Sequence, residues 1–473
     1  MHRPSFPVAA VLALMALIAL VTFSSPAEAV RGRLEASFGK DGFVYESFNH
    51  EFDPGYLTDS SFGIAIERNP ITGKLMMVAS VTDSDLAKPI QIGLARYHPD
   101  GTLDESFGSG NVAGLRLLDW QDPRTLSVDN ALFQPDGKLL FTAFVYEGGG
   151  LNPVDRVVCR VAVAGNLDPG FGTDGCTLLQ PLIDGPHYFT NQLALDASGR
   201  IYFGGRRSDG YPAVLRLDAD GDIDIDFGLN GLFYAWPQGA TGALLDDIAI
   251  RPDGRILLFG SGFYNDRTRW FVMEATSDGD VNASFGPNDG IHVITYGDPD
   301  PGSGQVGAMS LLDDGRVALF GRGRMGGNDV VGAIMLSADG KTIDPTWGTA
   351  LLGSIPMGPG PHILKAMQLP DGGFAVSGYT SDNGEGDPLM IVVDALGMLD
   401  LRFNRDGIQP GTMIIPVDAT SGMDTGKDYA VDMAWSEGRL ILAGQAEHDG
   451  LGGVAMLVSV EMHDGLFKDG LED

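Results

Sequence analysis

The sequence predicts an all-β fold: a seven-bladed β-propeller of four-stranded antiparallel blades, closed by its own N-terminal strand. Three observations carry this. A unit of roughly 60 residues recurs along the chain as an apolar strand, a (P)DG(K/R)-type turn, two further apolar strands and a capping phrase close to DG-x-(L/I/V)-D-x-S-F-G-x-x-G. The first-turn glycines Gly73, Gly137, Gly199, Gly254, Gly315, Gly372 and Gly438 mark each pass once, and four strands per unit suit a propeller blade better than a one-strand solenoid turn. Finally, the last unit stops after three strands, while an unclaimed fourth strand, Gly42–Phe48, stands near the N-terminus. Pairing the two closes the ring and leaves no open edge.

In chain order, residues 1–29 read as an export signal. Arg3 supplies the positive start, Val8–Phe23 the apolar stretch and Ala27-Glu28-Ala29 a small-residue cleavage site. The apolar stretch is shorter than the roughly 20 residues of a spanning helix. Cleavage near Val30 is therefore expected, giving a protein with no membrane span outside the cytoplasm, extracellular or periplasmic. Residues 30–60 hold an orphan cap, GRLEASFGKDG (32–42), and the strand donated to the last blade. Residues 61–460 hold the seven blades, and 461–473 form a short acidic tail.

The caps read HPDGTLDESFG (98–108), VAGNLDPGFGTDG (163–175), DADGDIDIDFGLNG (218–231), TSDGDVNASFGPNDG (276–290), SADGKTIDPTWG (337–348) and DALGMLDLRFNRDG (394–407). Asp-Gly steps suit tight turns, because Gly accepts positive φ and Asp bonds neighbouring backbone N–H groups. The cap aromatic (Phe107, Phe171, Phe227, Phe285, Trp347, Phe403) is expected to plug the core between units, and the cap Asp to tie off the turn. Trp347, Asn404 and the Ser436-Glu437-Gly438 turn depart from the pattern. These phrases, with FQPDGKLL (133–140) and IRPDGRIL (250–257), resemble the delta-60 repeat over nearly all of residues 32–460. The resemblance implies an exported bacterial propeller-like protein and brings no catalytic residues with it.

Charge narrows the partners. Lys and Arg total 31 against 63 Asp and Glu, a net charge of −32. Such a surface repels nucleic acid and anionic lipid. Cys159 and Cys176 fall on successive strands of one repeat, and export permits a disulfide between them; two free buried thiols are the alternative. Asp218, Asp220, Asp222, Asp224 and Asp226 alternate along one cap. They invite a Ca²⁺ reading, although the glycine position and the lack of a following bidentate Glu leave an acidic variant of the common cap as the plainer one. Beyond Ca²⁺, no cofactor is expected.

No nucleophile elbow or paired metal-histidine motif is present. His187 and His362 both follow Gly-Pro ahead of a first strand, a loop solution that two repeats share. The asymmetric feature is basic. In a propeller, the loops joining strands two to three, and four to the next one, share a face. On that face three consecutive blades carry Arg206 and Arg207, then Arg267 and Arg269, then Arg322 and Arg324. Guanidinium groups suit carboxylate, sulfate or phosphate, and Phe263, Tyr264 and Trp270 nearby would stack on a sugar or another ring, with a place in the core as the alternative for Trp270. The alternative is solvated arginines pairing with the acidic surface. The leading expectation is a monomeric, secreted, non-enzymatic scaffold that binds an extracellular or envelope ligand, anionic or a glycan, on this face. A polysaccharide hydrolase or lyase and a structural envelope protein are the alternatives.

Overall fold

The computed structural model describes residues 31–46, 48, 61–82, 90–108, 112–118, 124–147, 153–179, 192–207, 209–265, 267–294, 307–325, 328–348, 361–380, 386–415, 417, 428–448 and 452–462. Residues 1–30, His187 and the tail beyond Met462 lie outside these. Strand β1 (Phe43–Glu46) comes first. Blade 1 follows with β2 (Ser61–Arg68), β3 (Leu75–Val81), β4 (Gln91–Tyr97) and β5 (Leu115–Leu117). Blade 2 is β6 (Thr125–Phe133), β7 (Leu139–Tyr146), β8 (Asp155–Val161) and β9 (Cys176–Leu178). Blade 3 is β10 (Gln192–Leu195), β11 (Ile201–Arg206), β12 (Pro212–Leu217) and β13 (Leu232–Tyr234). Blade 4 is β14 (Ala243–Ile250), β15 (Ile256–Tyr264), β16 (Arg267–Ala275) and β17 (Ile291–Ile294).

Blade 5 has β18 (Ala308–Leu311), β19 (Val317–Met325) and β20 (Asn328–Leu336); residues 349–360, where its fourth strand is expected, lie outside the described residues. Blade 6 is β21 (His362–Gln368), β22 (Phe374–Tyr379), β23 (Pro388–Val393) and β24 (Thr412–Ile414). Blade 7 is β25 (Tyr429–Ser436), β26 (Arg439–His448) and β27 (Gly452–Glu461), completed by β1. That closing pair runs antiparallel, Phe43 opposite Val458 and Glu46 opposite Ala455.

The first strand of each blade touches the first strand of the next, and β25 touches β2, so the sheets form a ring around an axis. Each seam between blades holds one apolar cluster. At the closing seam Ile66, Leu75 and Tyr97 of blade 1 pack with Ala434, Ile441 and Leu457 of blade 7. Strands buried on both sheet faces need apolar residues at successive positions, which is why the middle strands read LMMVASV and PLMIVV rather than alternating.

The caps lock neighbours together in sequence. Each cap aromatic lies beneath the cap glycine of the following blade: Phe38 under Gly101, Phe107 under Gly165, Phe171 under Gly221, Phe227 under Gly279, Phe285 under Gly340, Trp347 under Gly397, and Phe403 back under Gly32. A Cβ at any of these glycines would fall 2.2–2.9 Å from the ring, so a side chain there is sterically barred as well as strained by positive φ. Backbone bonds repeat the link, as in Gly172 N to Asp220 O (2.8 Å) and Asn404 N to Arg31 O (2.8 Å). Asn404 and Glu437 adopt φ of 46° and 48°, so both departures from the repeat keep a left-handed turn.

The cap Asp accepts the turn N–H as expected, for example Ser106 N to Asp104 at 3.1 Å. It also pairs with an arginine of its own third strand: Arg96 with Asp104, Arg160 with Asp168 and Arg216 with Asp224. Blade 6 has Val392 at the corresponding place, and Arg31 of the N-terminal segment supplies the guanidinium instead, 2.9 Å from Asp400 and 2.8 Å from Asp371.

Candidate functional site at the channel mouth

Turns and caps occupy one face of the ring, so the loops that vary between blades lie on the other, around the mouth of the axial channel. Close to that mouth the innermost strands carry β-bulges, at Gly63/Ala65, Val128/Asn130, Leu245/Asp247, Ile363/Lys365 and Ala430/Asp432. A bulge re-aims the following side chains. Register puts Ala65, Asn130, Gln192, Asp247, Ala308, Lys365 and Asp432 at one level of the seven blades, opposite Val78, Thr142, Gly204, Phe259, Phe320, Ser377 and Ala443.

Several members of this level reach across the seam to the next blade. Asp247 accepts Met309 N at 2.7 Å, and Asp432 accepts Ile66 N at 3.0 Å. Gln192 donates to the carbonyl of Asp246. Lys365 Nζ lies 2.5 Å from Asp432 and 3.5 Å from Glu67, tying blades 6, 7 and 1 together.

These groups titrate abnormally. Burial raises Glu67 to about 7, with the Asp432 charge adding and Lys365 opposing. Burial likewise brings Asp247 to about 7 against the N–H groups of Met309 and Ile248 and the charge of Lys365. Asp246 reaches about 7 through burial and its neighbour Asp247, only partly offset by the Ser261 N–H. Burial pulls Lys365 down, but Asp432 and Glu67 outweigh it and hold the ammonium well above the ordinary lysine range. Carboxylates held well above their ordinary range thus stand beside a firmly charged lysine. None of these residues was singled out from the sequence. The available signal was a charge interrupting an apolar first strand, as in ILKAMQ and AVDMAW.

The second strands add the next level outward. Gly199 to Arg206 and Gly315 to Arg322 span the same interval from the turn glycine, so these two arginines are equivalent in blades 3 and 5. A Cβ at Gly204, two residues before Arg206, would meet Leu245 and Ile248 of blade 4. Strand alternation then aims Arg206 at that seam, and the Nε atoms of both arginines are buried. Arg322 lies near enough to His362 of blade 6 to act on its charge: burial, then Arg322, lowers the His362 pKa. The His362 ring stacks on Tyr379 with centroids 4.5 Å apart and planes 9° from parallel. Sequence reading treated His362 as a shared loop residue; the seam that brings Arg322 to it is invisible along the chain.

The other arginines of the predicted arc go elsewhere. Arg207 pairs with Asp209 and lies 4.0 Å over the Tyr234 ring of its own blade. Arg267 is exposed at the start of β16, and Arg269 is half-buried opposite Gly262. Arg324 sits in β19, its side chain outside the described residues. Of the aromatics expected to stack on a sugar, Trp270 is core, packed edge-on to Phe259. Tyr264 is buried, and Phe263 alone is exposed.

The five-aspartate cap does not converge on a point. Asp218 accepts the N–H groups of Asp220 and Asp222, and Asp224 takes Arg216 and the N–H of Asp226. Among the described residues no group of three or more His, Cys, Asp or Glu is placed to hold a metal. Asp218 and Asp224 thus spend side-chain oxygens on the turn and on Arg216. Cys159 and Cys176 face each other across β8 and β9 and are joined, with an S–S distance of 2.03 Å. No described helix is long and apolar enough to cross a membrane.

The family model described as "Domain of unknown function (DUF5122) beta-propeller" matches residues 73–107 and 251–285. Each segment runs from a first turn to a cap aromatic, in blades 1 and 4. No curated protein matches the chain significantly in sequence. Among solved structures, a protein of unknown function from Dyadobacter fermentans is similar at 12% identity and TM-score 0.42, over 89% of this chain and 100% of that one. The polysaccharide lyase Uly1 is similar at 10% identity and TM-score 0.43, over 85% and 90%. An intramolecular trans-sialidase from Ruminococcus gnavus is similar at 11% identity and TM-score 0.34, over 90% and 98%. Likenesses of this strength carry no argument about activity.

Proposed function

We propose that the protein is an exported, non-enzymatic propeller that binds an anionic extracellular or envelope ligand at the channel mouth. Arg206 and Arg322 are the attractive groups. The observation that supports this most directly is their equivalence: two repeats out of seven place an arginine at the same step, each at a seam beside the mouth. Guanidinium forks match carboxylate and sulfate, and burial of the Nε atoms fixes their direction before a ligand arrives. The strongly acidic surface around them repels anions at long range, so this arc has to select its ligand by short-range contact.

Affinity electrophoresis through gels containing dextran sulfate or polygalacturonate tests the reading. The protein should be retarded, less so with added salt. Arg206→Ala and Arg322→Ala should each weaken retention by about tenfold, the effect of losing one charge-assisted contact. Retention unchanged in both variants would sink the proposal.

One observation favours the polysaccharide-enzyme reading. A histidine disposed to stay neutral, a tyrosine stacked on it and an arginine beside them are the kinds of group that move a proton next to a carboxylate-bearing sugar. Release of unsaturated or reducing oligosaccharide from polygalacturonate, abolished by His362→Ala, would establish this reading in place of a binder. Retention without release leaves the binder.

A further inference from the structure

We propose a second ligand site on the same face, at the outer rim of blade 3, shaped for a sugar ring. It is distinct from the channel mouth and uses none of the mouth residues. Tyr211, Tyr234 and Trp236 meet there: Tyr211 packs on Trp236 with centroids 4.9 Å apart and on Tyr234 edge-on at 5.9 Å. All three rings remain half-buried rather than enclosed. Arg207 covers Tyr234 at 4.0 Å, and its guanidinium meets Asp209 by two prongs, Nε to Oδ1 at 3.2 Å and Nη2 to Oδ2 at 3.1 Å.

Two features separate this cluster from ordinary packing. Among the described residues its three rings meet in one blade: at the register position of Tyr234, blades 1, 2, 4 and 6 carry Leu117, Leu178, Val293 and Ile414, and blade 7 carries Tyr45, which stacks on Phe43 of its own strand. It is also held in place from both sides. Trp236 Nε1 donates to Ala240 O at 2.9 Å, and the loop bearing Tyr211 is closed by Arg207 N to Tyr211 O at 2.9 Å and Gly210 N to Arg207 O at 2.9 Å. Gly210, at φ 93°, lets that turn pass over the indole, where a Cβ would sit 3.6 Å from the ring.

Rigid, partly wet aromatic rings beside an oriented Arg–Asp pair match the two-sided chemistry of a pyranose. The C–H face of the sugar covers the rings, and its hydroxyls take the guanidinium donors and carboxylate acceptors at the edge. Little side-chain freedom is left to lose on binding, so affinity is not spent on ordering. A neutral oligosaccharide satisfies all of these contacts. The site therefore does not require the anionic group that the mouth selects.

The test is a titration with cellohexaose and with hexagalacturonate, read by tryptophan fluorescence and calorimetry. The expected result is binding of the neutral hexamer that falls at least ~10-fold in Trp236→Ala and in Tyr211→Ala, the size of a central aromatic contact. Trp236→Phe should recover most of it, and Arg322→Ala should leave it intact. Thermal melts of each variant separate loss of contact from loss of fold. No binding of either hexamer, or affinity unchanged in both alanine variants, would overturn the site. Binding lost in Arg322→Ala and untouched in Trp236→Ala would assign the glycan to the mouth alone.

Discussion

The two faces of the ring differ in what their residues are for. On the cap face, every blade solves one problem the same way, with an aromatic under its neighbour's glycine and a side-chain oxygen tying its own turn, a carboxylate in most blades and the Asn282 amide in blade 4. On the mouth face, equivalent positions hold Ser80, Phe144, Arg206, Ser261, Arg322, Tyr379 and Gln445. Uniformity follows from a shared packing requirement, which admits one answer. Variation is tolerated where solvent or a ligand takes the place of a neighbour. Repetition therefore marks the scaffold, and the positions at which repeats disagree mark the candidate site.

The largest test of this division is Phe227→Ala on the cap face. It empties the space beneath Gly279 and should cost about 3–5 kcal/mol, as for other buried Phe deletions. Chemical denaturation should show that loss with the denaturant slope preserved. A cost under ~1 kcal/mol would mean that the cap circle is ornamental and that the repeats owe their uniformity to something else.

A charge on the mouth face sharpens the comparison from the other side. Arg156 and Asp129 form a buried ion pair, 3% and 4% exposed, with Arg156 lying 3.5 Å over Phe144. Burial raises the Asp129 pKa and lowers that of Arg156, each opposed by the partner's charge. Arg156→Ala should destabilise by roughly 3–5 kcal/mol by leaving Asp129 buried and uncompensated. Such a loss with ligand retention intact would show that this mouth-face ion pair serves the scaffold.

Much of the architecture was legible because turn chemistry and packing repeat. Asp-Gly steps and a recurring aromatic give the period, and the unmatched strand near the N-terminus gives the closure. The site was legible only in part. Arg206 and Arg322 stood out as rare cations on one face, but their equivalence depends on register within the blade. The meeting of Arg322 with His362, and of Lys365 with Asp432 and Glu67, depends on seams between blades. Those contacts join residues far apart in the chain, and no local pattern encodes them. Arg207 went the other way: a nearby ring claimed a residue that looked available along the sequence, while Trp270 took the core place that was its alternative.

The channel carboxylates give a smaller effect with a definite sign. Folding holds Asp246 at about 7, against about 3.9 for an unperturbed Asp. A folded pKa above the unfolded one means stability fully present below about pH 4 and lost as pH rises toward 7. Asp246→Asn removes that loss. Its thermal midpoint should exceed the parent's at pH 8 and match or fall below it at pH 4. Equal shifts at both pH values would show that the carboxylate is not held neutral by its surroundings.

The smallest effect separates the two kinds of mouth arginine. Arg267 is exposed, so Arg267→Ala should change stability by no more than ~0.5 kcal/mol and leave the His362 titration unmoved. Arg322→Gln should cost little stability but raise the His362 pKa, because it removes one of the two influences, burial and the Arg322 charge, that hold it down. Imidazole resonances followed by NMR across pH 4 to 9 read this directly. An upward shift in Arg322→Gln and none in Arg267→Ala would place the guanidinium of blade 5 at the blade 6 histidine. Identical titrations in both variants would leave His362 governed by burial alone, and Arg322 would lose its claim to a distinct role among the arginines of this face.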